Sequence, residues 1–312
     1  MYLKLKPSYL LKGLFVVVFT IVLLLWEIPL GGFVEGIVDW IVINLGWLLD
    51  GISYLLESLV DSFKTSLLFL PALWMIPVLT GIVVVISNAS LIRARAPPAE
   101  YLQNLSLSVL AFLGLLLIQN MGLWEMSMAT LALVIVAALV ALGIGVPLGI
   151  LGANHDRLHA VLRVLLDFMQ TMPSFVYLIP AVIFFGLGDV PGIIATVIFA
   201  MPPAIRLTTL GIRQIPKELI EVSEAFGATP TQKLIKIQLP VALPTIMAGI
   251  NQCIMLALSM TVIASMIGAG GLGYQVLTGI QMVDIGMGFE AGLAIVIIAI
   301  VLDRLTQNLA ST

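Results

Sequence analysis

Residues 221–240 read EVSEAFGATPTQKLIKIQLP. The stretch mixes acidic, basic and amide side chains with Gly227, Pro230 and Pro240. It sits in a chain of 312 residues that is 61% hydrophobic and only 10% charged. A polar, helix-breaking insert so deep in an apolar sequence has to lie outside the apolar phase.

The surrounding composition defines that phase. Mean hydropathy is +1.16, and a soluble globular chain has only about 45–50% apolar residues. Residues 65–92, 101–124, 126–154 and 237–283 contain no charged side chain. Runs of about 18 or more such residues mark membrane spans. The sequence therefore predicts an all-α, multi-pass membrane protein. Cys253, the single cysteine, lies in one of these runs and reads as a small packing residue. Lys4, Lys6 and Lys12 precede an apolar run as they would in a signal peptide, but no small-residue cleavage site follows, so the run is expected to remain as a first span.

Eight candidate spans follow, near 13–32, 67–91, 101–120, 127–152, 168–187, 191–207, 243–267 and 287–305. Lysine and arginine set the orientation, because cytoplasmic loops are enriched in them. With both termini in the cytoplasm, every cation except Lys64 falls inside. The segment 33–64 repeats Glu35, Asp39, Asp50, Glu57 and Asp61 near helical spacing, with Leu, Ile and Trp between. It reads as an amphipathic helix on the outer face, broken near Leu45-Gly46. It serves either as a docking surface or as a link between spans. The expected organisation is 1–66 (first span plus outer-face helix), 67–125 (two additional spans) and 126–307 (the transport core).

The spans lack what an ion-coupled carrier or an enzyme would need. Carriers keep ionisable residues at the membrane midplane, and here the spans are almost free of them. There is no G-x-x-x-x-G-K-[ST] phosphate loop, so nucleotide is not expected on this chain. No catalytic set or metal-ligand cluster stands out. His155 and His159 share the loop NHDRLHAVLR, which reads more simply as a solvated basic loop than as a metal site.

The insert 214–240 then lies between spans six and seven, on the cytoplasmic side. Pro216 opens a helix, Gly227 ends it in a left-handed cap, and Thr229-Pro230 starts a second helix running to Leu239-Pro240. The result is a helix–turn–helix knob. Its spacing, Glu221-x5-Gly227-x9-Ile237-x-Leu239-Pro240, resembles the EAA loop (E-A-A-x3-G-x9-I-x-L-P) of ABC importer permeases of the type I fold. Val222 and Ser223 stand where that family has two alanines. The stretches 165–180, 190–208, 243–273 and 299–307 resemble, more narrowly, the permeases of glycine betaine/proline betaine importers.

The resemblance implies a coupling loop that docks on a separate ATP-binding subunit through Glu221, Glu224, Ala225, Gly227, Ile237, Leu239 and Pro240. It implies that ATP and Mg sit on that ATPase dimer and that no cofactor is bound here. It implies a second copy of the permease and a cell-membrane location. A binding protein is expected as a separate external chain, since this one ends at Thr312 soon after the last span. The implied cargo is a methylated amine such as glycine betaine, proline betaine, carnitine or choline, with methionine or another amino acid as the alternative. A quaternary ammonium suits aromatic faces, which makes Phe175, Tyr177 and Tyr274 candidates for the substrate path. The competing reading is helix packing for Phe175 and Tyr177 and an interface anchor for Tyr274.

Overall fold

The computed structural model describes residues 30–88 and 105–310. All regular structure among them is helical. The expected first span falls mainly on residues 13–29, outside the described residues, as do 89–91 of the second and 101–104 of the third. The chain divides into two units at Leu49/Asp50. The described part of the first, from Leu30, is wholly helical.

Helix α1 (Leu30–Leu68) runs through Leu45 and Gly46 without interruption. The expected break is therefore absent. A lone interior glycine costs only about 1 kcal/mol relative to alanine, and the leucine, isoleucine and tryptophan around it tolerate helix. Asn44 turns its Nδ2 back onto the Trp40 carbonyl at 2.7 Å, so it caps no new element.

In the second unit, α2 (Ala72–Ser87) and α3 (Leu105–Asn120) are short apolar helices. They are followed by α4 (Trp124–Asn154), α5 (Asp156–Thr171), a 3-10 turn (Ser174–Tyr177) and α6 (Leu178–Phe185). Next come α7 (Asp189–Arg213), α8 (Lys217–Ala225) and α9 (Pro230–Lys233). A π turn (Leu234–Gln238) leads into α10 (Leu239–Ala264), then α11 (Leu272–Met282) and α12 (Ile285–Ala310). Five helices among the described residues are long and apolar enough to cross a membrane, and six if one bent pair counts as a span.

That pair is the span expected over 168–187, whose Pro173 and Pro180 predict an irregular helix; its start, not its irregularity, is what the structure corrects. The helix begins at Asp156, and the chain turns by 109° between Thr171 and Ser174. Pro173 explains the turn, because a proline forces the residue before it out of the helical region. Met172 is extended at φ −72°, ψ 133°. The Tyr177 hydroxyl donates to the Met169 carbonyl across the bend and fixes it.

Helix α7 is the hub and packs on both α4 and α10. The backbones come close because the contacts carry small residues. A Cβ placed on Gly149 would lie 2.6 Å from Thr208 Cβ, and one on Gly249 would lie 3.0 Å from Leu207 Cβ. The main core joins Val134, Ala137, Ala141, Ile193, Ala200, Cys253 and Ala257. Cys253 is fully buried there, as expected of a packing residue.

Candidate functional site

The stretch 214–240 folds as a knob at the end of α7. Pro216 caps α8, and the helix stops where Gly227 takes φ +72°. Two bonds close that end. The Gly227 amide donates to the Glu224 carbonyl at 2.9 Å, and the Ala228 amide donates to the Ser223 carbonyl at 3.0 Å. This is the paired pattern of a left-handed glycine cap. The next arm opens on a capping box: the Gln232 amide donates to Thr229 Oγ1 at 3.3 Å, and the Thr229 amide donates to Gln232 Oε1 at 2.9 Å. Lys233 Nζ then reaches Glu224 Oε1 at 2.7 Å and ties the two arms together.

The second arm does not end at Leu239-Pro240. It continues as the membrane-spanning helix, and residues 230–267 form one candidate span. The π turn makes this possible. Proline in a helix removes a donor and clashes with the carbonyl four residues back. A turn widened to i→i+5 bonding, as from the Leu239 amide to the Leu234 carbonyl, carries the chain past Pro240. The knob is thus a rigid extension of α10 on one arm and a short separate helix on the other.

The knob has a base and a crown. At the base, Ile220 and Leu239 pack on Ile212, Ile215, Ala242 and Ile246, with Ile150 and Ala153 of α4 on the same cluster. One cluster therefore joins α8 to α4, α7 and α10. Ser223, the buried residue of α8, satisfies its hydroxyl on the Ile220 carbonyl at 2.6 Å. On the crown, Leu219, Val222, Ile235 and Phe226 are exposed, Phe226 to 88%. Glu221, Glu224, Ala225, Gly227 and Pro240 are exposed as well, while Ile237 and Leu239 are half-buried. The sequence motif marks the base and the turn; it does not mark Phe226, whose exposure only the folded knob reveals.

The three aromatic candidates fall in different settings. Tyr177 is buried, sets its ring edge-on to Phe199 at 5.9 Å, and uses its hydroxyl at the bend. Phe175 and Tyr274 are both exposed, to 53% each. Among the described residues, no group of His, Cys, Asp or Glu is arranged to hold a metal.

Residues 145–311 match the family described as binding-protein-dependent transport system inner membrane component. The chain belongs to this family. It is therefore an inner-membrane permease subunit and not an enzyme. Relatives agree over nearly the whole length. The permease is 46% identical to the glycine betaine transport system permease protein OpuAB of Bacillus subtilis, over 91% of this chain and 95% of that one. It is 46% identical to the glycine betaine/proline betaine permease ProW of Escherichia coli, over 90% of this chain and 75% of that one. It is 48% identical to the glycine betaine/carnitine permease GbuB of Listeria monocytogenes, over 90% and 95%. Among solved structures, an inward-facing form of the MetNI methionine ABC transporter matches 58% of the permease and 91% of its own chain, with a TM-score of 0.54 at 22% identity. At that identity the likeness speaks for the fold.

At the end of α7 away from the knob, the permease holds a glycine turn, Gly268 to Gly271, by two side chains from far along the chain. Asp189 Oδ1 accepts from the Gly270 amide at 2.8 Å, and Thr130 Oγ1 accepts from the Leu272 amide at 2.7 Å. Thr130 is fully buried and donates in turn to the Met126 carbonyl at 3.0 Å. The turn delivers α11, and with it Tyr274. A second polar clamp joins α10 to α12: Asn251 Nδ2 donates to Asp303 Oδ1 at 2.9 Å, and the Thr306 hydroxyl donates to Asn251 Oδ1. Gln307 Nε2 holds the other Asp303 oxygen at 2.7 Å.

Proposed function

We propose that this permease is the membrane-spanning subunit of an ATP-driven ABC importer for glycine betaine, proline betaine and similar methylated amines. The observation that carries the cargo is the 46–48% identity, over about nine-tenths of the chain, to three permeases each named for glycine betaine transport. The methionine transporter with the same fold lies at 22% identity, too far to argue for an amino-acid cargo.

The mechanism rests on the knob. An ATPase subunit seats on the crown, with Glu221, Glu224, Ala225 and Gly227 beside the exposed Phe226, Val222 and Leu219. When nucleotide closes the ATPase dimer, the crown moves. Ile220 and Leu239 pass that motion through the shared cluster to α4, α7 and α10. The π turn, with Ile237 half-buried inside it, keeps the second arm in line with α10 past Pro240. ATP and Mg stay on the ATPase, and this chain supplies the moving walls. Two permease copies enclose the path, and an external binding protein delivers cargo to the opposite face.

In this reading the chain has about eight spans with both termini in the cytoplasm. Residues 1–66 and 67–125 precede a transport core at 126–307. Phe175 and Tyr274 offer aromatic faces to the cationic amine, and Tyr177 supports the bend that presents Phe175. Uptake of radiolabelled glycine betaine into proteoliposomes holding the permease with its ATPase and binding protein tests the assignment. It should need ATP and be competed by proline betaine. Uptake without ATP, or competition by methionine alone, would overturn it.

A further inference from the structure

Helices α5 and α7 leave a cleft of about 410 Å³ between them, near the root of the knob. Its lining holds Arg163, Arg206, Arg213 and His159 around a floor that includes Leu166 and Ile205. Two of the guanidiniums are partly neutralised. Arg206 meets Asp167 at 2.8 Å, and Arg213 meets Asp156 at 2.6 Å. Arg163 has no carboxylate partner among the described residues. Asp167 is the one carboxylate in the lining, so the cleft keeps a net positive charge.

The opposite face of α5 is apolar and exposed, at Val161, Val164 and Phe168. A helix that is cationic on one side and oily on the other settles at the boundary between hydrocarbon and headgroups. Headgroup phosphates lie at that depth, and basic pockets between membrane helices hold them. A free phosphate would gain nothing from the apolar face.

We propose that this cleft binds the headgroup phosphate of an anionic phospholipid, with Arg163 as its chief contact. Arg206 and Arg213 complete the site from α7, whose last turn leads directly into the knob. A bound headgroup would fasten α5 to the root of the coupling element. The site stands on geometry and charge, and its test reads binding, so it succeeds or fails independently of the cargo and of the ATPase.

Native mass spectrometry of the purified full-length permease, titrated with phosphatidylglycerol or phosphatidylcholine, is the experiment. Phosphatidylglycerol should be retained in preference. R163Q should weaken its binding by about five-fold, the factor expected of one basic side chain near a membrane surface. R163K should retain most of the affinity, and K217Q on the exposed start of α8 should retain all of it. Should R163Q fail to fold, a salt series on the wild type decides, since only phosphatidylglycerol retention should fall with added NaCl. Equal retention of both lipids, or no effect of R163Q or of salt, would overturn the proposal. So would equally strong binding of inorganic phosphate. A drop in dimer content of R163Q in lipid-free detergent would assign the cleft to a second copy of the chain and overturn it as well.

Discussion

Lys233 reaches across the Gly227 turn and sets its Nζ 2.7 Å from Glu224 Oε1. The bond closes the knob from side to side, while the glycine cap closes it end to end. Because both partners are partly exposed, the pair itself is worth little, about 0–1 kcal/mol. Glu224→Gln should therefore leave membrane insertion and thermal stability unchanged, read by membrane flotation and a thermal melt. Any loss of ATP-driven uptake in that variant then reports docking or arm alignment, not folding.

Gly227 should be far less forgiving. Nothing stands within 4 Å of a Cβ at this position, so only the backbone objects. At φ +72°, a residue with an ordinary side chain costs about 1–2 kcal/mol. Gly227→Val should abolish most uptake and leave insertion intact. Gly227→Asn, which tolerates the left-handed region, should keep clearly more transport than the valine variant. Equal uptake in the two variants would mean that the turn's handedness is not needed.

The base of the knob makes a different prediction. Ile220 joins the cluster shared with Ile150 of α4, Ile212 of α7 and Ala242 of α10. Ile220→Ala should uncouple the cycle. ATP hydrolysis by the assembled complex should persist while uptake per ATP falls several-fold, measured on the same proteoliposomes. Loss of both in proportion would point to failed docking.

Several of these features could be read in the sequence, for a physical reason. Pro216, Gly227 and Thr229-Pro230 act on their own backbone within a few residues, and each does in the fold what its chemistry dictates. The path of α10 through Pro240 leaves no local signal, because it runs over a π turn that ends at Leu239, a residue packed among partners from other helices. Gly46 is the opposite case: its small local penalty is outvoted by the helix around it. The 109° bend after Thr171 was half visible, in Pro173 but not in the Tyr177 bond that fixes it. The tie of Thr130 to Leu272 spans 142 positions and leaves no local trace.

That tie yields a prediction of its own. Thr130→Val keeps the shape but leaves the Leu272 amide without its acceptor in a buried site. An orphaned buried donor costs about 1–3 kcal/mol. Hydrogen exchange should speed up at residues 268–274 and remain unchanged in the knob. Unchanged protection of the Leu272 amide would show that the hydroxyl does not hold the turn.

Close packing of α4 on α7 can be tested by contrast. A Cβ on Gly149 would meet Thr208 Cβ at 2.6 Å and the Ile205 carbonyl oxygen at 2.9 Å, while one on Gly81 would meet nothing within 4 Å. Gly149→Ala should destabilise the detergent-purified permease by about 1–3 kcal/mol, as overpacking does. Gly81→Ala should be neutral or slightly stabilising in the same thermal melt.

The proposed mechanism requires an ATPase subunit to seat on the crown of the knob. A photo-crosslinking phenylalanine analogue in place of Phe226, 88% exposed at the tip, tests it most directly. Illuminated in membranes containing the whole transporter, it should capture the ATPase subunit in high yield, with a yield that changes when ATP is added. Capture of lipid or of the binding protein, with no ATPase adduct in either nucleotide state, would rule out the crown as the ATPase seat.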